Sequence, residues 1–135
     1  MIVADASAVV EVLLGRPQAR GVRATLARHS ELHVPEHFHV EVLSALRRYS
    51  VRGELTELRA AQALAALREL RAITYPVLAL VAGIWDLRAA LTAYDAAYLA
   101  LARRLGVALV TLDEGLATVA ANDGRLAPVR GRAQA

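Results

Sequence analysis

Four carboxylates are the groups of this chain best placed to do chemistry: Asp5 in "MIVADAS", Glu41 in "HFHVEVLSALRR", Asp95 in "LTAYDAAYLALA" and Asp113 in "ALVTLD". Asp5 and Asp113 each close a short apolar run that precedes a helix-forming segment. In open parallel sheets ligands bind outside the carboxyl ends of the strands, so two such aspartates can meet at one edge. Each could equally serve as the N-cap of the helix that follows. Asp95, three residues after Thr92, resembles a capping box, yet it is also the one charged group at the head of a helix that stays uncharged until Arg103. At about 100° per residue, Phe38, Val42, Ala45, Leu46 and Tyr49 form an apolar stripe with Glu41 on its edge beside Ser44. The alternative for Glu41 is an exposed position paired with His37 or Arg48.

Four converging carboxylates repel one another, which raises their pKa values until some protonate. A divalent cation removes that conflict, and an all-oxygen donor set selects a hard ion such as Mg²⁺ or Mn²⁺. Such an ion activates water and stabilises charge during in-line phosphoryl displacement, the chemistry of many nucleases.

The elements that must position these groups alternate between β-branched runs and longer segments of helical spacing. This predicts a single α/β domain with a parallel sheet. Strands are expected at Ile2–Ala4, Leu32–Val34, Ile73–Tyr75 and Ala108–Leu112, with a final edge strand near "LAPV". Helices are expected through "SAVVEVLL" and "QARGVRATLARH", from Pro35 to the residues before Gly53, and after the N-cap Thr56. Pro76 is expected to open a helix through "VLALVAGIWDLRAAL", followed by helices through the Asp95 segment and "EGLATVAAN". The domain is expected to span residues 1–129, with 130–135 a disordered tail.

Composition narrows the functions further. All sixteen basic residues are Arg, and the net charge is +3. Without lysine or a G-x-x-x-x-G-K pattern, a P-loop is excluded. The absence of cysteine excludes disulfides and thiolate metal sites. No signal-like segment opens the chain, and its most apolar stretch is too short to span a bilayer, so a soluble cytoplasmic protein is expected, with no membrane association. His33, His37 and His39 lack the i, i+4 pair with a glutamate expected of a helical zinc motif, and the histidines of "HSELHVPEHFHVE" are expected at the surface near a substrate groove. Arg16, Arg20, Arg23 and Arg28, with Arg125, Arg130 and Arg132, could flank the acidic strand ends and meet phosphates there. Phe38 and Trp85 are expected in the core.

"MIVADASAVVEVLLG", "HVPEHFHVEVLSALRR" and "LTAYDAAYLALARRLGVALVTLD", in this order, resemble PIN-domain ribonucleases of the VapC toxin type over essentially the whole chain. The resemblance implies a doubly wound α/β/α sandwich with a short, mostly parallel central sheet. It implies that Asp5, Glu41, Asp95 and Asp113 bind Mg²⁺ or Mn²⁺ for hydrolysis of RNA, with Ser7 and Thr111 as polar helpers. It further implies a homodimer, inhibited by a cognate VapB-type antitoxin. One stretch departs from the family pattern: many relatives carry a basic residue soon after the last aspartate, where this chain has Gly115 following Glu114.

Two other function classes compete. An aspartyl-phosphate receiver or phosphatase also uses strand-end aspartates, but typically with a lysine, which this chain lacks. A non-catalytic PIN-fold binding module would be favoured if one of the acids were missing.

Overall fold

A computed structural model describes residues 1–131. Four short parallel strands form the sheet in the order β3-β2-β1-β4: β1 (Ile2–Ala4), β2 (Leu32–Pro35), β3 (Ile73–Tyr75) and β4 (Leu109–Val110). Val3 stands beside both His33 and Leu109, which puts β1 between β2 and β4. The chain steps outward from β1 to β2 to β3 and then returns to the far side of β1. The strand order therefore reverses between β1 and β4, where a crevice opens at the carboxyl ends of such a sheet.

Two crossovers link β1 to β2 and β2 to β3, through α1 (Ala6–Leu13) with α2 (Ala19–Leu26) and α3 (Phe38–Val51) with α4 (Glu57–Glu69). The return to β4 uses a 3₁₀ turn (Val77–Leu80), α5 (Val81–Asp86) and α6 (Ala93–Leu105), and α7 (Glu114–Asn122) follows β4. α1 to α4 pack with one another, and α6 packs with α5 and α7. Right-handed crossovers that reverse direction place their helices on opposite faces, giving the α/β/α sandwich.

The core lies where these layers meet. Ile2, Val3, Val34, Leu109 and Val110 of the strands are buried, together with Phe38, Val42 and Leu46 of α3. α6 is buried continuously from Ala96 to Ala102, so its N-terminal end is held firmly against the sheet. It ends at Gly106, whose φ of +67° is a left-handed conformation that costs glycine little. Among the described residues no helix is long and apolar enough to cross a membrane.

Several expected boundaries differ. Pro35 is the last residue of β2, and α3 starts at Phe38 after His37. The helix expected after Pro76 breaks into the 3₁₀ turn and α5, where Gly83 faces α6 so closely that an added Cβ would lie 3.1 Å from the Ala100 Cβ. β4 is shorter than expected, and the last strand is reduced to a single bridge between Leu109 and Leu126. Trp85 is 65% exposed, against the expectation of a core position, whereas Phe38 is buried. His33 is buried, against the expectation of a surface position, and is satisfied by the Tyr75 hydroxyl at 2.7 Å and Glu31 at 3.2 Å. The expected tail falls largely outside the described residues.

Candidate active site

Asp5, Glu41, Asp95 and Asp113 line one cleft of about 580 Å³ at the carboxyl ends of β1 and β4. Asp5 follows β1 and caps α1, its Oδ1 accepting the Ala8 N–H at 3.2 Å. Asp113 follows β4 and caps α7, accepting the Leu116 N–H at 2.8 Å. The cap and site readings of these aspartates therefore hold together: capping fixes one oxygen of each and aims the carboxylate across the strand ends. Glu41 enters from the first turn of α3, and Asp95 from the first turn of α6, capped by Thr92 as expected.

Ser7 and Thr111 lock Asp5. The Ser7 hydroxyl donates to Asp5 Oδ1 at 2.6 Å and the Thr111 hydroxyl to Oδ2 at 2.7 Å. Thr111 Oγ1 in turn accepts the Asp113 N–H at 3.0 Å, tying the two strand-end aspartates into one network. Asp5 is only 4% exposed. Burial pushes its carboxyl up to about 6 in spite of the Ser7, Thr111 and Ala8 hydrogen bonds, and Asp113 adds to the rise.

Glu41 is held differently. Tyr98 of α6 donates its hydroxyl to Glu41 Oε1 at 2.6 Å, and His37 Nε2 lies 3.2 Å from the same oxygen. His37 Nε2 also donates to the Tyr94 carbonyl at 3.0 Å, so two elements fix this imidazole. Burial alone would raise the Glu41 carboxyl, but the His37 and Tyr98 hydrogen bonds outweigh it and hold the group below the usual range. Conversely, burial lowers His37 while Glu41 outweighs it, leaving His37 raised. Asp95 is raised, first by burial and then by the charges of Asp113 and Glu41. Sequence reasoning did not single out Tyr98; its only signal was a spacing of three from Asp95, which places both on one face of α6.

Although one cleft gathers the four acids, no three of them stand close enough to enclose an ion among the described residues. Both oxygens of Asp5, Oε1 of Glu41 and Oδ1 of Asp113 are engaged by protein groups. The donor set nevertheless fits a hard divalent cation. It is all carboxylate, Asp113 adds to the raised pKa of Asp5 and, with Glu41, to that of Asp95, and among the described residues Arg48 is the one guanidinium lining the cleft. Gly115 lies beside Asp113, where an added Cβ would stand 3.4 Å from Oδ1, an ordinary contact, and Glu114 is an exposed acid in the first turn of α7.

The PIN domain family model matches residues 2–122. This chain belongs to the PIN-domain family. It is 45% identical over 113 residues to VapC ribonuclease Mb0985 of Mycobacterium bovis, covering 84% of this chain and 86% of that protein. It is 44% identical over 118 residues to ribonuclease VapC3 of Mycobacterium tuberculosis, covering 86% and 85%. Two solved structures share the PIN fold. VapC20 of M. tuberculosis, described as a sarcin-ricin loop cleaving toxin, aligns with a TM-score of 0.66 at 16% identity over 88% of this chain and 95% of its own. PAE2754 from Pyrobaculum aerophilum aligns with a TM-score of 0.61 at 22% identity over 87% and 77%.

Proposed function

We propose that this chain is an endoribonuclease that hydrolyses RNA phosphodiester bonds with Mg²⁺ or Mn²⁺, as the toxic component of a VapBC-type toxin–antitoxin pair in the cytoplasm. The observation that carries this reading is the meeting of Asp5, Glu41, Asp95 and Asp113 in one cleft at the strand-order reversal of a PIN domain. The VapC ribonucleases it resembles over most of their length support the choice of RNA and of a VapB-type antitoxin as partner.

Asp5, Asp95, Asp113 and Glu41 would hold the cation. It would supply activation of the attacking water and neutralisation of charge at the phosphate. The chain's own residues do the rest. Ser7 and Thr111 keep Asp5 in one rotamer, and Thr111 couples it to the Asp113 backbone. Tyr98 and His37 hold Oε1 of Glu41, so its other oxygen is the one available to the cleft. A homodimer is supported by the apolar groove of about 350 Å³ lined by Val81, Trp85 and Tyr94, residues otherwise left exposed beside the site.

Asp5→Ala, Asp95→Ala and Asp113→Ala should each abolish RNA cleavage and growth arrest while circular dichroism shows a folded chain. Full activity in any of them would overturn the site assignment.

A further inference from the structure

Beside the acidic cleft, and sharing Ser7, Ala45 and Arg48 with it, lies a second cavity of about 250 Å³ between α1 and α3. Its cations are available. Arg48 and Arg52, one helical turn apart, both line it and are exposed, and neither side chain makes a hydrogen bond or ion pair among the described residues. Its acid is already satisfied: Glu11 accepts the Gln18 N–H at 2.9 Å and pairs with Arg16 at 3.3 Å. Tyr49 contributes a ring, steadied by the Arg16 guanidinium 5.0 Å from its centroid. Gln18 also lines this cavity, and its Oε1 is buried without a hydrogen-bond partner.

An RNA strand brought to four carboxylates needs cations beside them, because its own phosphates are repelled by the site. The loop after Asp113 supplies none, since it continues with Glu114 and Gly115. Arg48 stands at the junction of the two cavities, about two turns along α3 from Glu41, whose carboxyl its charge helps to lower. Unpaired bases are commonly received on aromatic rings, a contact that tolerates any base.

We propose that Arg48, with Arg52, binds a phosphate of the nucleotide adjacent to the one being cut, and that the neighbouring cavity receives the unpaired base of that nucleotide against Tyr49. This assignment rests on the RNA-cleaving reading above. It makes Arg48 and Tyr49 substrate-binding residues on the α1–α3 side of the cleft, with the Gln18 carbonyl as an acceptor on the cavity wall.

The test is single-turnover cleavage, in Mn²⁺, of a fluorescein-labelled single-stranded RNA oligonucleotide. Arg48→Ala should raise the half-saturating protein concentration about tenfold, leave the maximal rate nearly unchanged, and flatten the log–log salt dependence by about 0.7. Arg48→Lys should recover most of the affinity. Arg47→Ala removes the same charge from an exposed neighbour that lines neither cavity, and should match the wild type. An abasic substitution at one nucleotide flanking the cut should cost the wild type about fivefold or more in half-saturation, and cost Tyr49→Ala nothing further. If the wild type cuts no RNA, the cleavage reading falls and this assignment with it. If it cuts RNA but Arg48→Ala behaves as Arg47→Ala, or the abasic penalty persists unchanged in Tyr49→Ala, only the cavity assignment is overturned.

Discussion

Replacing Asp5 with asparagine should make the metal-free protein more stable at neutral pH. The wild-type carboxyl is buried and raised from 3.8 to about 6. That rise means its ionisation costs the fold about 3 kcal/mol at pH 7 and above. Asparagine keeps the shape and can still accept from Ser7 and the Ala8 N–H. The bond donated by Thr111 is exchanged for a weaker one in the opposite sense, the amide N–H donating to a Thr111 Oγ1 that already accepts the Asp113 N–H, at a cost of about 1 kcal/mol. The net expectation is a gain of about 2 kcal/mol at pH 7.5 for Asp5→Asn. The sign follows from the raised pKa. The penalty on the wild type is fully present above about 6 and is relieved as pH falls towards 3.8, so the gap between the two proteins should shrink across that window. Asp95 is raised as well, whereas Glu41 and Asp123 are lowered and act in the opposite direction, which is why the difference between two proteins is the quantity to measure. Urea denaturation in EDTA at pH 7.5 and at pH 4.5 would read it. An Asp5→Asn protein less stable than the wild type at pH 7.5, by a margin that does not change with pH, would mean that the buried carboxylate carries no ionisation penalty.

Three further outcomes follow from particular contacts. Tyr98→Phe removes the hydroxyl that fixes Glu41 and should weaken Mn²⁺ binding about tenfold, read by calorimetry, because partners that orient a ligand tune its affinity. Gly21→Ala should destabilise the fold by about 1–3 kcal/mol in thermal or urea unfolding, since its Cβ would run into the Arg130 carbonyl oxygen where the C-terminal segment packs on α2. Thr56→Ala should cost about 1 kcal/mol in the same assay by removing the acceptor for the Arg59 N–H at the head of α4, without altering RNA cleavage.

The strands were legible because short β-branched runs alternate with longer segments of helical period, and Asp5 and Asp113 fall at junctions between the two. Asp5 and Asp113 could be paired from that pattern alone, since parallel strands share one carboxyl edge. Their capping role was equally legible and proved to be the means of orientation. Pro35 misled because its fixed φ suits the end of a strand as well as the start of a helix. The close approach of Gly83 to Ala100, which seats α5 on α6, was hidden because it is a contact between segments distant in sequence. Tyr98 escaped for the same reason, since its partner Glu41 lies 57 residues earlier. Trp85 has the type of a core residue, but its neighbours, Val81 among them, leave that face uncovered.

The most direct test of the central claim is the chemistry of the ends that the purified chain leaves on RNA, measured with and without divalent cation. Hydrolysis at the four-carboxylate cleft predicts cleavage that saturates with Mn²⁺, stops in EDTA, disappears in Asp113→Ala and leaves linear phosphate monoesters. Cleavage that persists in EDTA, or ends carrying 2′,3′-cyclic phosphate from attack by the RNA's own hydroxyl, would contradict it.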